Sequence, residues 1–184
     1  MSHYGTNQNL FDPASDVINI GMSPLAYYAD FVTIPLIIVV LAFVNTVSLS
    51  GILLGAAAWT LIEYIIHRYL FHCLPVFKAG HDLHHDRPSG MTGVTSWHSL
   101  IIFGSLYWLV PASILIGIMV GYLAYIVIHH AFHHWTIGPG QAWYPAKMRH
   151  HMHHRGDEVN FGLVTSFWDR VFGTYRPWRQ RQPV

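Results

Sequence analysis

The sequence predicts an all-α integral membrane protein with about four transmembrane helices arranged as two hairpins. Hydrophobic residues make up 52% of the 184 residues and charged residues only 10%, whereas an ordinary soluble domain has roughly 25% charged residues. Two long segments, 31–62 and 88–146, contain no Lys, Arg, Asp or Glu. Histidine clusters lie at the ends of these segments and between them. This distribution places much of the surface in a bilayer and the histidines at its boundary.

The first uncharged segment has the pattern of a helical hairpin. The run FVTIPLIIVVLAFV is followed by NTVSLSG and then by ILLGAAAWTLIEYIIH. A helix needs about 20 apolar residues to cross the hydrocarbon layer, and the polar residues between the runs predict a turn near 45–51. The second helix would carry Glu63 near its end and deliver His67 as it leaves the membrane.

The second uncharged segment leaves two geometries open. From His98 to His134 there are 37 residues, whereas two spanning helices need about 20 residues each. Either a tight hairpin turns near 111–113, or the two helices are tilted or cross the membrane incompletely.

The charged residues indicate the orientation and the limits of the domain. All ten Lys and Arg residues lie in the segment 68–87 or after residue 146, and such residues favour the cytoplasmic side. Two hairpins would return the chain to that side each time, so the histidines and both termini are expected there. Residues 1–24 lack the pattern of a secretory signal. We expect a flexible arm over 1–24, one membrane domain over 25–176 and a basic tail over 177–184.

The composition excludes several kinds of site. The formal net charge of +1 lacks the excess of Lys and Arg that nucleic-acid binding requires, so no nucleic-acid partner is predicted. Cys73 is the single cysteine of the sequence, which excludes an intrachain disulfide and a cluster of thiolate ligands. Any bound metal must therefore be held by nitrogen or oxygen, and the 15 histidines are the abundant source.

The histidines occur at spacings that place them on shared helix faces. Residues at i, i+3 and i+4 lie on one face of an α-helix, and both HDLHH and HHMHH contain this spacing. HHAFHH contains two parallel pairs, His129 with His133 and His130 with His134, and only one pair can face a common site. HRYLFH has an i, i+5 spacing, which suits the frayed end of a membrane helix. Outside HHAFHH, the candidate ligands are His67, His72, His81, His84, His85, His150, His153 and His154.

The number of these histidines predicts two metal ions. With one pair from HHAFHH the set has ten ligands, whereas a single first-row ion takes roughly four to six. Ten neutral ligands leave the charge of the ions uncompensated, so nearby carboxylates are expected to orient the imidazoles. A hydrolytic zinc centre is an alternative, although it would use fewer ligands and HExxH is absent. The candidate carboxylates, each of which could instead be a solvated loop charge, are Asp82, Asp86, Asp157 and Glu158.

The other histidines are expected to lie outside the ligand set. His3 and His98 do not belong to any of the clusters. His151, together with whichever pair of HHAFHH faces away, is expected to orient ligands or to lie on the surface.

The motifs over residues 31–176 resemble those of the membrane fatty acid hydroxylase and sterol desaturase superfamily. The family pattern HxxxxH, HxxHH, HxxxH and HxxHH is matched at all ten positions, with His129 and His133 as the third box. NFGLVTSFWDRVFGTYR, residues 160–176, resembles the family's terminal signature. HRYLFH followed by HDLHHDRP is most similar to the fatty acyl and ceramide 2-hydroxylase branch.

The resemblance implies a fold, a reaction and its cofactors. It implies four membrane helices capped by a cytosolic, helical, histidine-rich dome, in which the ten histidines hold two iron ions that activate dioxygen. Zinc would be a substitute in a purified sample. The substrate would be a membrane lipid whose acyl chain is hydroxylated at carbon 2. Electrons would come from a donor of the cytochrome b5 or ferredoxin type, which we expect to be a separate protein because this chain has no room for the cytochrome b5 domain often fused to such enzymes.

Other functions remain open at this point. The same centre could desaturate a lipid, or hydroxylate a sterol, hopanoid or carotenoid, because these reactions begin with the same hydrogen abstraction. A metal transporter or sensor is a more distant alternative, since transport ligands should lie near the middle of the membrane. Some aromatic residues are candidates to line a lipid channel, although such residues also serve as interfacial anchors. These candidates are Trp97, Tyr107, Trp108 and Tyr125. His130 and His134 depart from the residues expected within the third box.

Overall fold

The protein is built from α-helices, and the described part of the chain contains no β-strand. The computed structural model describes residues 22–91, 96–156 and 158–178, so most of the predicted arm and tail lies outside it. The prediction of an all-helical membrane protein is confirmed. The helical elements are α1 (Pro24–Val44), α2 (Leu49–Ile65), a π-helical segment (Ile66–Phe71), α3 (Pro75–Asp86), α4 (Ser96–Leu106), α5 (Ala112–His134), α6 (Tyr144–His153) and α7 (Phe167–Val171).

Three helical stretches among the described residues are long and apolar enough to cross a membrane. They are α1, α2 continued through the π-helical segment, and α5, with mean hydropathies of 2.2, 1.7 and 2.0. The hydroxyls of Ser23 and Ser48 cap α1 and α2 by accepting from backbone N–H groups of the first turn, each at 3.2 Å. The predicted first hairpin is therefore present, with its turn at residues 45–48.

The third predicted crossing is not a full-length helix over the residues that the structure describes. α4 has 11 residues and is therefore about 16 Å long, roughly half the thickness of the hydrocarbon layer. Over the described residues, α4 by itself is therefore too short to cross the hydrocarbon layer. From His98 to His134 there are 37 residues, of which α5 takes 23, and the remaining 14 are fewer than the roughly 20 that a second spanning helix needs.

A buried polar cluster attaches α4 to its neighbours. One carboxylate oxygen of Asp30, on α1, accepts from the hydroxyl of Ser99 at 2.7 Å and from the hydroxyl of Tyr122 at 2.6 Å. Ser99 lies on α4 and Tyr122 on α5, so a single carboxylate joins three helices. Hydrogen bonds between helices satisfy polar groups that the bilayer cannot solvate, and this cluster holds the short helix in place.

Glycines allow α2 and α5 to cross with their backbones in contact. A Cβ atom on Gly55 would overlap the carbonyl group of Ile114, and one on Gly117 would overlap the carbonyl oxygen of Ile52. Small residues at such crossings permit the close approach of membrane helices. This crossing positions the site, because the histidines of HRYLFH follow α2 and those of HHAFHH end α5.

Candidate metal centre

The ten histidines predicted to bind metal lie together in two groups of five at the ends of α2 and α5. Within each group, one ring nitrogen per residue lies within 4.8 Å of all the others. The groups are adjacent, since the rings of His85 and His154 stack with centroids 4.4 Å apart. Centre A consists of His67, His72, His81, His85 and His153, and centre B of His84, His129, His133, His150 and His154.

The π-helical segment brings His67 and His72 into the same centre. In an α-helix, residues five apart point about 140° away from each other, so an i, i+5 pair would not converge. The helix instead widens to a π-helix over Ile66–Phe71, a distortion that is frequent at functional sites. The two ring centroids lie 5.4 Å apart. The helix thus continues through HRYLFH, where the spacing predicted a frayed end.

The two HxxHH motifs each divide their histidines between the centres. On an α-helix, residues i+3 and i+4 lie about 100° apart, on either side of residue i. The i, i+4 pair therefore faces one centre and the i+3 histidine faces the other. α3 supplies the pair to centre A and His84 to centre B, whereas α6 supplies the pair to centre B and His153 to centre A.

Imidazoles in both centres turn their Nε2 atoms toward one another. In centre A, Nε2 of His81 lies 3.0 Å from Nε2 of His72 and 3.0 Å from Nε2 of His85. Burial, followed by the neighbouring imidazoles, lowers the pKa of His81 to about 2 and that of His85 to about 4. In centre B, Nε2 of His150 lies 2.8 Å from Nε2 of His133. Converging neutral imidazole nitrogens are a fitting donor set for first-row divalent metals.

The metal-free protein is expected to lose stability as the pH falls from about 6.5 toward 4. His85 has a pKa of about 4 in the folded state and an ordinary value of 6.5. Between these values the unfolded chain binds a proton that the folded chain does not, so the free energy of unfolding decreases as the pH falls. His81 and His154, with pKa values of about 2, extend the loss to lower pH. Thermal unfolding of chelator-treated protein in detergent, from pH 7 to 4, measures the effect.

The variants His85→Asn and His98→Asn test the origin of this pH dependence. His85→Asn should flatten the slope, because one imidazole with a lowered pKa is gone. His98→Asn should leave it unchanged, since His98 is exposed and lies outside both centres. A midpoint temperature that does not change with pH would contradict the prediction.

Two backbone carbonyl groups of residues 159–164, a segment called the strap below, orient histidines of centre A. Nδ1–H of His67 donates to the carbonyl oxygen of Phe161 at 2.6 Å, and Nδ1–H of His153 donates to that of Val159 at 3.0 Å. A proton on Nδ1 leaves the Nε2 lone pair free to bind a metal. Both histidine side chains are buried, so their rings are fixed in the orientation that a ligand requires.

Two buried carboxylates that the sequence did not indicate hold the strap. Oε1 of Glu63 accepts from two strap N–H groups, at 2.5 and 3.1 Å. The carboxylate of Asp169 accepts from two others, at 2.8 and 2.9 Å, and from the hydroxyl of Thr174 at 2.8 Å. Glu63 and Asp169 are only 3% and 0% exposed. Hydrogen bonds offset the cost of burying such polar groups, and here the bonds to the two carboxyl groups fix the backbone that orients centre A.

Three of the four carboxylates that the sequence suggested lie on the surface. Asp82 is exposed and pairs with Lys78 at 2.6 Å, Asp86 and Glu158 are exposed, and Asp157 lies outside the described residues. Burial lowers the pKa of His85, and the charges of Asp82 and Asp86 partly offset that effect. Their orienting role therefore stays a prediction, and the contact that they make with the site is electrostatic.

His130 and His134, the other pair of HHAFHH, face away from both centres. The hydroxyl of Tyr27 lies 3.0 Å from Nδ1 of His130, and the rings of His130 and His134 stack with centroids 4.4 Å apart. His129 and His133 are thus the pair that faces the site. His151 is exposed, and His3 lies outside the described residues.

Among the aromatic residues suggested for a lipid channel, Tyr125 is the one beside the site. Its ring stacks on that of His129, with centroids 5.7 Å apart and planes 18° apart. Trp97, Tyr107 and Trp108 are exposed on or next to α4, which is the position expected of side chains that face lipid.

Comparison with known proteins connects this geometry to one family. Residues 52–174 match the model of the fatty acid hydroxylase family. A ceramide very long chain fatty acid hydroxylase of Schizosaccharomyces pombe is 30% identical over 154 residues, which cover 72% of this chain and 44% of the relative. A dihydroceramide fatty acyl 2-hydroxylase of Arabidopsis thaliana is 30% identical over 144 residues, 65% of this chain and 58% of the relative. The human fatty acid 2-hydroxylase is 29% identical over 156 residues, 68% of this chain and 39% of the relative.

The fold is similar to that of a solved relative. The structure of full-length Scs7p, in which only the hydroxylase domain is visible, matches with a TM-score of 0.68 and 27% identity, over 97% of this chain and 77% of that chain. The chain thus spans about half the length of the curated relatives and most of the solved domain. The resemblance inferred from the histidine motifs is confirmed: the chain belongs to the fatty acid hydroxylase family.

Proposed function

We propose that this chain hydroxylates carbon 2 of a lipid acyl chain in the membrane, with dioxygen as the source of the oxygen atom. The observation that carries the proposal is the pair of five-histidine groups at the ends of membrane helices. The family supports it, because the relatives are named fatty acid and ceramide hydroxylases, two of the three as 2-hydroxylases. A transporter is disfavoured, since its ligands would lie within the membrane.

The ten histidines would hold two iron ions, one in each centre, and zinc could replace iron in a purified sample. Each centre offers five buried or half-buried imidazole nitrogens and, among the described residues, no carboxylate, and imidazole binds iron and zinc well. When bound, the iron pair would supply the activation of dioxygen, with one oxygen atom entering a C–H bond and the other leaving as water after delivery of two electrons and two protons.

The residues of the chain determine which carbon is oxidised. The strap orients His67 and His153, and the stacked Tyr125 fixes the ring of His129. His67 follows α2 and His129 lies near the end of α5, so the ends of these apolar helices would bring both residues near the level of the lipid head groups. An acyl chain that enters from the bilayer therefore presents a carbon close to its carbonyl group, and carbons deep in the tail do not reach the histidines.

The site is proposed to face the cytoplasm and to receive electrons there from a separate donor of the cytochrome b5 or ferredoxin type. The support for this side is the position of all ten Lys and Arg residues, in the segment 68–87 and after residue 146, because these residues are favoured on cytoplasmic loops.

Labelled dioxygen tests the proposed reaction. Membranes that contain the chain, supplied with a reductase system and isotopically labelled dioxygen, should yield lipids with one labelled oxygen atom on carbon 2 of an acyl chain. Fragmentation in a mass spectrometer locates the atom, and membranes that contain the His153→Ala variant provide the background.

Each other product would contradict a different part of the proposal. A new double bond without added oxygen would show desaturation. Oxygen on a sterol, hopanoid or carotenoid would change the substrate class. Oxygen in the middle of the acyl chain would show that the argument from depth is wrong.

A further inference from the structure

We propose that the two metal positions differ in affinity: centre A holds its ion tightly, whereas centre B exchanges its ion readily. The inference rests on the proposed function only in taking both centres as metal sites. It concerns the ring nitrogens that point away from the ions, and how the chain holds them.

The two centres differ in the partners of these outer nitrogens. In centre A, Nδ1 of His67 and of His153 donate to strap carbonyl groups. In centre B, Nδ1 of His150 and of His154 are buried and have no hydrogen-bond partner among the described residues. The Nε2 atoms of His150 and His154 lie 3.0 Å apart and face the site. A neutral imidazole that offers Nε2 to a metal carries its proton on Nδ1, so centre B contains two buried donors without acceptors.

This difference has a consequence for metal binding. A donor that is buried without an acceptor disfavours the ring orientation that requires it, whereas a carbonyl partner fixes the ring and makes the ligand nitrogen more basic. Such partners typically change metal affinity by about 10- to 100-fold. Centre A should therefore bind more tightly by about this factor and release its ion more slowly.

Asp169 positions the strap and so contributes to the difference in affinity between the two centres. It accepts from the backbone N–H groups of Phe161 and Gly162, and so fixes the carbonyl group that His67 uses. Glu63 anchors the same strap through Oε1. Among the residues that the structure describes, no carbonyl group accepts from Nδ1 of His150 or His154 in centre B. The substitution Asp169→Asn should therefore weaken centre A selectively.

The rate of zinc release measures how tightly each centre holds its ion. The purified full-length chain in detergent, loaded with two equivalents of zinc, is mixed with a chelator, and the released zinc is followed with a chromogenic indicator. Two phases of one ion each are expected, with rates that differ by about 10- to 100-fold. The matched variants His85→Ala and His154→Ala, which alter the stacked pair between the centres, assign the phases. His85→Ala should abolish the slow phase and His154→Ala the fast phase.

Two further variants separate positioning from charge. Asp169→Asn should accelerate the slow phase by about 10- to 100-fold, while Arg170→Gln, which removes an exposed charge next to Asp169 in the sequence, should change neither phase. If thermal unfolding shows that Asp169→Asn does not fold, the pair Glu63→Leu and Glu63→Gln replaces it. Leucine should lose the slow phase, whereas glutamine keeps an oxygen that accepts from the strap and should restore it.

The outcomes distinguish this inference from the proposed function. A single phase of two ions, loss of the slow phase in His154→Ala, or equal effects of Asp169→Asn and Arg170→Gln would overturn the inference, even if labelled lipid is formed. Two unequal phases in a chain that forms no labelled lipid would leave the inference standing and refute the proposed reaction.

Discussion

Replacing His153 by alanine is expected to abolish hydroxylation and to lower the metal content from two ions to one. The His153 side chain is fully buried, its Nε2 lies 3.3 Å from Nε2 of His72, and its Nδ1 donates to the strap. The variant removes both a ligand nitrogen and the contact that orders the strap. Loss of an orienting partner alone costs about 10- to 100-fold, so loss of the ligand should reduce activity by more than about 100-fold. Elemental analysis of purified protein and the labelled-oxygen assay measure the two effects.

His151→Ala is the matched control for this variant. His151 lies on the same helix two residues earlier, but it is exposed and belongs to neither centre. The control should keep two ions and the activity of the unmodified chain. Retention of both ions by His153→Ala, with normal turnover, would show that the assignment of ligands is wrong.

Replacing Gly117 by leucine is expected to prevent α2 and α5 from packing. Even a Cβ atom at this position would overlap the carbonyl oxygen of Ile52 and the backbone nitrogen of Ala56, and backbone atoms within a helix cannot move aside locally. The helices must then separate, which costs at least the roughly 1–3 kcal/mol typical of an overpacked core. His67 follows α2 and His129 lies near the end of α5. Both centres should therefore lose their geometry when the two helices separate. The yield of monodisperse protein in detergent and its unfolding temperature measure the result.

Gly104→Leu controls for the effect of a larger side chain in a membrane helix. Gly104 lies on α4, and a Cβ atom there would meet no atom within 4 Å. This variant should fold with an unchanged unfolding temperature. A Gly117→Leu protein that is as stable as the unmodified chain would show that the helices do not depend on this crossing.

The convergence of the histidines could be predicted because it depends on local spacing. The i, i+3 and i+4 relations within HDLHH and HHMHH fix which side chains share a face of a helix, whatever the rest of the chain does. The family motif then identified His129 and His133 as the pair of HHAFHH that faces the site. The division of ten histidines into two groups of five requires the relative placement of α3 and α6, which the spacing alone does not determine.

The groups that orient centre A could not be predicted because they depend on contacts between distant parts of the chain. Glu63 reaches strap N–H groups that lie 100 and 101 residues away in sequence. Asp169 is nearer to the strap in sequence, but the motif FWDRV predicts only an exposed carboxylate in a short helix. Proximity to histidines suggested Asp82 and Asp86 instead, yet both point to solvent, since they lie on the exposed face of α3.

The position of the strap in the sequence determines when the site can be completed during synthesis. Chains emerge from the ribosome with the N-terminal part first, so all ten histidines precede the strap and Asp169 in time. Until residues 159–174 have emerged, His67 and His153 have no carbonyl partners to fix their rings. Metal acquired earlier would bind to an unfinished centre A, whereas folding of the strap closes this centre after the membrane helices have been inserted. Secure binding of a metal by centre A is therefore expected to follow insertion of the helices into the bilayer, because it requires the strap.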